Sequence, residues 1–130
     1  MKGLDTNILV RFYAQDDPEQ CRRCDKFLQT LTPESPGYVS LVSLIELVWV
    51  LRSQYRLKKP GLIRILEQLL DSPELLVENQ TAVILALRRF SQLKVDFADC
   101  LIERCGAAAG CDETVTFDVT ASRFAGMKLL

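Results

Sequence analysis

The sequence predicts an α/β protein in which a small central parallel β-sheet is flanked by helices, an α/β/α sandwich. Short β-branched or apolar stretches alternate with longer amphipathic stretches along the chain, as is typical of βαβ units. With 130 residues, of which 48% are hydrophobic and 25% charged, the composition suits one domain with one core. No internal repeat, low-complexity tract or linker divides the chain. We therefore expect a single domain over residues 1–130.

Caps and turn residues set the expected elements in the first part of the chain. Asp17 and Pro18 are typical of an N-cap and a first-turn proline, and the segment "TPESPG" has the composition of a loop. The helix that contains "LVSLIELVWVL" is apolar around its whole circumference, so we expect it to be buried. In order, the elements are a strand at 2–5, helices at 7–15 and 17–31, a strand at 38–40, and helices at 41–55 and 59–70.

The second part continues the alternation. Asp96 is placed to cap a helix, and "ETVTF" is rich in β-branched residues, which favour strands. In order, the elements are a strand at 74–78, a helix at 80–93, a helix within 95–110, a strand at 113–117 and a short helix at 118–126, followed by the terminal residues 127–130.

Charge and hydropathy exclude several classes of protein. The net charge is −1 and the pI is near 5.5, so any contact with nucleic acid must come from a local basic patch. The longest apolar run, residues 41–51, contains Glu46 and is much shorter than the roughly twenty residues that cross a bilayer. Because the first predicted strand begins almost at Met1, we expect no leader. We expect a cytoplasmic protein with no membrane span.

The chain has five cysteines and no histidine. Without histidine there is no Ser-His-Asp or Cys-His triad and no His-ligated zinc. Cys21 and Cys24 form a C-x-x-C that lacks a second pair at zinc-ribbon spacing. We expect Cys21, Cys24, Cys100 and Cys105 to be reduced thiols packed as small apolar residues, with metal binding or redox chemistry as the alternative.

Acidic residues follow the first and last predicted strands. Asp5 comes directly after the first strand and Asp118 after "TVTF". Because functional crevices of parallel sheets lie at the carboxyl ends of the strands, we expect both acids at the same edge. Asp5 alone could be an ordinary helix cap.

Two further acids come from predicted helices. Glu46 has Val42, Ser43, Trp49 and Val50 three and four positions away, a mostly apolar face on which a lone charge is costly. The alternative is a helix turned so that a narrow stripe of Ser43, Glu46 and Ser53 reaches water.

Asp96 and Asp99 lie three residues apart at a helix start. One cap requires only one acid, so we expect Asp96 to cap the helix and Asp99 to be functional.

A divalent cation would allow four such carboxylates to lie together. Asp5, Glu46, Asp99 and Asp118 would repel one another if they converged without a counter-charge. An all-oxygen ligand set matches Mg²⁺ or Mn²⁺, which can promote attack of water on a phosphodiester. The sequence therefore favours metal-dependent phosphodiester hydrolysis.

Four motifs, "LDTN", the glutamate of "SLIELVWVL", "DFADCLI" and "TFD", resemble the acidic signature of the PIN domain, particularly of VapC-type toxins in bacterial toxin–antitoxin pairs. The resemblance implies a small nuclease that cuts RNA with Mg²⁺ or Mn²⁺. It also implies that Asp5, Glu46, Asp99 and Asp118 are the catalytic, metal-binding acids, of which the last varies most in the family. Asn7, Thr116 and Asp96 would be supporting polar residues, and Cys100 stands where alanine would be expected.

The resemblance further implies a homodimer and a cognate VapB-type antitoxin whose arginine could pair with the carboxylates. The apolar run at residues 41–51 could supply surface for such contacts, but a buried core explains it equally well. The catalytically silent alternative is a PIN-like module that only binds RNA or protein. Receiver domains and haloacid-dehalogenase-like phosphatases would each require a second acid that is missing after the first strand.

One sizeable basic block lies in the chain, at residues 52–64. RNA needs cations along its path, and an aromatic ring could stack on a base. The alternative is an ordinary solvated surface. The block contains Arg52, Tyr55, Arg56, Lys58, Lys59 and Arg64.

Overall fold

The computed structural model describes residues 1–130 and contains seven helices and five strands, which confirms the α/β prediction. The chain divides into two compact units, Met1–Glu78 and Asn79–Leu130. The prediction of a single domain over 1–130 stays a prediction. The first unit contains β1 (Lys2–Gly3), α1 (Thr6–Tyr13), α2 (Pro18–Leu28), β2 (Gly37–Val39), α3 (Leu41–Ser53), α4 (Lys59–Asp71) and β3 (Leu75–Val77), and the second contains α5 (Gln80–Gln92), α6 (Phe97–Ala108), β4 (Val115–Thr116), α7 (Val119–Phe124) and β5 (Lys128–Leu129).

A three-stranded parallel sheet organises the first unit in the order β1-β2-β3. The central strand β2 begins at buried Gly37, where an added Cβ would lie 2.8 Å from Leu4 Cδ1 and 2.9 Å from Leu31 Cδ1. The absence of a side chain at Gly37 therefore lets both leucines pack over the middle of the sheet.

Helix starts in the first unit follow the local sequence. Asp17 accepts a hydrogen bond from the Gln20 N–H at 3.0 Å and Pro18 occupies the first turn, which confirms the predicted cap of α2. Ser40, directly after β2, caps α3 by accepting from the Ser43 N–H at 3.2 Å. The carboxyl end of β2 thus leads straight into a capped α3.

The prediction that α3 is wholly buried is wrong. Leu44 and Leu47 are at most 1% exposed, whereas Val42 is 75% and Trp49 is 62% exposed. Leu44, Leu47 and Leu51 recur at three- and four-residue spacing and form one inward stripe. The apolar character averaged over the whole helix therefore did not distinguish its buried face from its solvent-exposed face.

Helices α5 and α6 pack together in the second unit. Phe90 and Phe97 meet edge to face with ring centroids 5.8 Å apart, a favourable arrangement for aromatic pairs. The acid Glu103, only 9% exposed, accepts from Arg104 Nε at 2.6 Å and Arg89 Nη1 at 3.4 Å. Arg89 also donates to the Ala125 carbonyl at 2.6 Å, so this partly buried charge cluster holds the end of α7.

Strands β4 and β5 form a separate parallel pair with Val115 opposite Lys128 and Thr116 opposite Leu129. Residues 127–130 had no predicted element, because a two-residue strand has no measurable periodicity. β1 and β4 belong to different sheets, so the expectation that Asp5 and Asp118 follow strands of one sheet edge is wrong. Alternation of helices and strands predicts elements without specifying which strands pair.

All five cysteines are free thiols. Cys21, Cys24 and Cys100 are buried, as predicted for small apolar residues, while Cys105 is half-buried and Cys111 exposed. The Cys21 and Cys24 thiols lie 3.3 Å from the carbonyls of Arg11 and Ile8, to which they can donate. Burial raises the pKa of the Cys24 thiol, which keeps it protonated.

None of the seven helices combines the length and the apolar character that crossing a membrane would require.

Candidate active site

The predicted site residues fall into two groups, one in each compact unit. Asp5, Asn7 and Glu46 belong to the first unit. Asp96, Asp99, Thr116 and Asp118 belong to the second.

Asp5 lies at the carboxyl end of β1 and occupies the N-cap position of α1. Its backbone carbonyl accepts from the Ile8 N–H at 3.0 Å, but its side chain makes no capping hydrogen bond and is exposed. Asn7, in the first turn of the same helix, is also exposed. The Asp5 carboxylate is therefore not used to stabilise the helix start and is available to a ligand.

Glu46 is held beside the start of α1 by a hydrogen bond between side chains. The hydroxyl of Thr6, the residue after Asp5, donates to Glu46 Oε2 at 3.3 Å. Thr6 is only 7% exposed, whereas Glu46 is exposed. The Ser43 hydroxyl donates to the Leu4 carbonyl at 3.3 Å and holds α3 against the end of β1. These two bonds bring Asp5 and Glu46 to one edge of the first unit.

The solvent exposure of Glu46 agrees with the alternative interpretation of its helix face. The neighbours Val42 and Trp49 are exposed together with it, so its carboxylate does not project from a buried apolar surface. Of the proposed polar stripe, Ser53 is exposed but Ser43 is buried. Because Glu46 is exposed, its carboxylate does not carry the cost of burial that was expected from its apolar neighbours in the sequence.

Glu78, which the sequence argument missed, completes the same sheet edge. It follows β3, and its side chain accepts from the Leu41 N–H at 3.4 Å. Burial, followed by the charge of Glu78 and a hydrogen bond to it, raises the pKa of Tyr38. The sequence feature that could have identified Glu78 is an acid directly after a predicted strand. Because Glu78 is engaged by Leu41 and Tyr38, it serves the structure of this edge.

In the second unit, Asp118 is both a predicted site residue and a helix cap. Its Oδ1 accepts from the Ala121 N–H at 3.0 Å, and its own N–H donates to Thr116 Oγ1 at 3.0 Å. Thr116 therefore supports the loop that carries the acid, and its role in a catalytic cleft stays a prediction. Only one carboxylate oxygen of Asp118 is used for the cap.

Asp99 lies near two other acids. Burial is the main cause that raises its pKa above the ordinary range, and the negative charges of Asp96 and Asp118 raise it further. Asp96 occupies the N-cap position of α6, but its side chain makes no capping hydrogen bond, so the expectation that Asp96 caps this helix through its side chain is wrong. A cation near Asp99 would offset the repulsion among these carboxylates.

Neither unit by itself contains three or more His, Cys, Asp or Glu side chains arranged to hold a metal ion. The donor chemistry nevertheless fits Mg²⁺ or Mn²⁺, since the available groups are carboxylate oxygens and Asp99 is destabilised by like charge. The metal-ligand assignment of Asp5, Glu46, Asp99 and Asp118 stays a prediction.

The basic block is mostly exposed. Arg52, Arg56, Lys58 and Arg64 are exposed and Lys59 is half-buried. The Tyr55 hydroxyl donates to Asp16 Oδ2 at 2.7 Å, which ties that ring to the segment between α1 and α2. RNA binding by this block stays a prediction.

Comparison with known proteins establishes the family. The model of the PIN domain matches residues 3–127. The chain belongs to the PIN domain family. This confirms the resemblance seen in the four sequence motifs, and the match includes the acids of both compact units of this PIN domain protein. The chain is also similar to a VapC ribonuclease of Aquifex aeolicus (strain VF5), with 26% identity over 118 residues, 90% of this chain and 87% of that protein.

Proposed function

We propose that this PIN domain protein is a VapC-type endoribonuclease that hydrolyses phosphodiester bonds in RNA with Mg²⁺ or Mn²⁺. The cation would be held by Asp5, Glu46, Asp99 and Asp118. The observation that carries the proposal is the match of the PIN domain to residues 3–127, which include all four of these acids. Similarity to a VapC ribonuclease supports RNA as the substrate.

Each acid has a feature that suits it to this role. Asp5 is exposed and makes no cap bond, and Glu46 is oriented by the Thr6 hydroxyl at 3.3 Å. A divalent cation bound by these carboxylates would supply charge neutralisation and Lewis-acid activation for attack of water on phosphorus. Because Asp118 uses Oδ1 for its cap, Oδ2 is the oxygen that would either contact a cation or orient the attacking water.

The absence of histidine is consistent with this chemistry, because carboxylates can orient water and accept its proton where no imidazole is present.

We also propose a cognate VapB-type antitoxin and a homodimer as partners. The exposed Val42 and Trp49 on α3 favour a protein contact on that helix, because large apolar side chains in open positions often mark interaction surfaces.

Cleavage of a defined panel of RNAs in the presence of Mn²⁺ tests the proposal. Asp5→Asn and Asp99→Asn should each lower kcat/KM by more than about 100-fold, since even outer-shell partners of metal ligands contribute 10- to 100-fold. Asp71→Asn is the matched control, because Asp71 is exposed on α4 and belongs to no candidate site. Full activity of Asp5→Asn would refute the assignment.

A thermal shift separates the enzyme from the catalytically silent binding module. A cation that binds only the folded protein should stabilise it by about 2.7 kcal/mol at 100 times its Kd. Mn²⁺ should therefore raise Tm in the wild type and much less in Asp99→Asn. RNA binding without cleavage and without this shift would favour the silent module.

A further inference from the structure

A groove of about 570 Å³ lies between α1 and α2 in the first unit. Side chains four residues apart on α1 and three or four apart on α2 form the two walls, because such residues share a helix face. None of the side chains that line the groove is acidic. The polar and aromatic side chains of the walls are Asn7 and Arg11 on α1 and Gln20, Arg23 and Phe27 on α2.

Arg23 carries the uncompensated positive charge of this groove. It is exposed and takes part in no ion pair. Arg11 on the opposite wall is paired with Asp16, so much of its charge is already offset. Lys2 Nζ lies 5.7 Å from the centroid of the Phe27 ring and adds a further cation. The groove is therefore positively charged in a protein whose net charge is −1.

The groove begins beside the acids of the proposed nuclease site. Asn7, in its wall, lies two residues after Asp5. Arg11 lies one helical turn further, about 6 Å along the axis at 1.5 Å per residue. Acids repel a phosphate chain, so an RNA strand that reaches Asp5 and Glu46 needs a basic contact close by. A guanidinium is suited to this contact because it binds phosphate oxygens in a bidentate manner.

We propose that this groove binds a backbone phosphate of the RNA strand next to the cleaved bond, with Arg23 as the residue that contacts the phosphate. The inference rests on the proposed function, because it assigns to the same site a substrate contact beyond the acids. An acidic peptide segment is the other ligand that this chemistry could attract.

Arg22 offers a matched control. It is the adjacent residue on α2, is equally exposed, and carries the same charge, but it points away from this groove, about 100° around the helix. Arg23→Ala and Arg22→Ala therefore each remove one positive charge from the protein. They differ in the face of α2 from which the charge is removed.

Binding of a fluorescent single-stranded RNA to the non-cleaving Asp5→Asn protein tests the inference. Arg23→Ala should weaken binding by about ten-fold, as expected for one charge-assisted contact, and should reduce the slope of log K against log salt by about 0.7. Arg22→Ala should change affinity by less than about two-fold, because an exposed charge at a distance is screened. Equal effects of the two substitutions would overturn the inference.

Single methylphosphonate linkages locate the contact. In the Asp5→Asn protein, neutralising one phosphate near the cleavage position should weaken binding, and the same linkage should have no further effect in Asp5→Asn/Arg23→Ala. Persistence of the full effect without Arg23 would overturn the assignment. The assignment would also be overturned if Arg23→Ala weakened binding of an acidic peptide and left RNA binding unchanged.

These outcomes separate failure of the groove from failure of the proposed function. A wild-type protein that cuts no RNA but loses RNA affinity specifically in Arg23→Ala would refute the nuclease and leave the groove in place. Cleavage that requires Asp5 but is equal in Arg23→Ala and Arg22→Ala would refute the groove alone. Circular dichroism should show unchanged folding, because both arginines are exposed.

Discussion

Thr6 determines how Glu46 is presented, and replacing Thr6 by valine tests that role. The Thr6 hydroxyl donates to Glu46 Oε2 at 3.3 Å, longer than the usual 2.7–2.8 Å for such bonds. We therefore expect this hydrogen bond to contribute only about 1 kcal/mol to the stability of the arrangement. That energy corresponds to about a five-fold decrease in kcat/KM for RNA cleavage if the bond orients Glu46 in the transition state. Valine has nearly the same shape and fills the buried position, and exposed Glu46 remains hydrated. The free energy of unfolding should therefore change little.

Thr6→Ser separates orientation from packing. Serine keeps the hydroxyl and should retain most of the activity, but it removes a buried methyl group and should lower the free energy of unfolding by about 1 kcal/mol. Steady-state cleavage and urea denaturation of both variants measure the two effects. Wild-type kcat/KM in Thr6→Val would refute the role of the bond. So would an equal loss of activity in both variants.

Three further substitutions test charge and backbone features of the second unit. The folded-state pKa of Asp99 lies above its unfolded value, so ionised Asp99 lowers stability at neutral pH. Without divalent cations, Asp99→Asn should therefore be more stable than wild type at pH 7. Denaturation at several pH values should show this difference disappearing as the pH falls toward about 3.9. Glu103→Ala should lower the free energy of unfolding by about 1–3 kcal/mol. This is less than for a fully buried pair, because Arg89 and Arg104 are 30% and 26% exposed. A change below about 0.5 kcal/mol would contradict this expectation. Gly126→Ala should lower Tm more than Gly110→Ala. Both glycines have φ above +80°, but only at Gly126 would the new Cβ meet another group, Arg89 Nη1. Equal Tm values for the two variants would refute the steric argument.

The sequence was a good guide where the signal was local. Asp17 and Pro18 start α2 where predicted, because a cap and a first-turn proline act within one helical turn. The four acidic motifs were sufficient to identify the family. The acids also follow strands or lie on helices as predicted.

The sequence was a poor guide where a property depends on partners distant in the chain. Pairing of β4 with β5 involves only two residues on each side, too few for a pattern. Two aspartates show the same limit at helix starts: Asp5 occupies an N-cap position without capping, whereas Asp118 does cap. Composition cannot distinguish these cases, since the choice depends on side-chain rotamer and surroundings. The exposure of Trp49 was missed for a related reason, because apolarity was averaged over a whole helix.

The short strand β5 has a practical consequence for work with this protein. The Lys128 N–H donates to the Thr114 carbonyl at 2.8 Å and the Leu130 N–H to the Thr116 carbonyl at 2.9 Å, and the Thr116 hydroxyl in turn accepts from the Asp118 N–H. Proteolytic trimming after residue 127 would therefore remove two backbone hydrogen bonds that support the segment leading to Asp118.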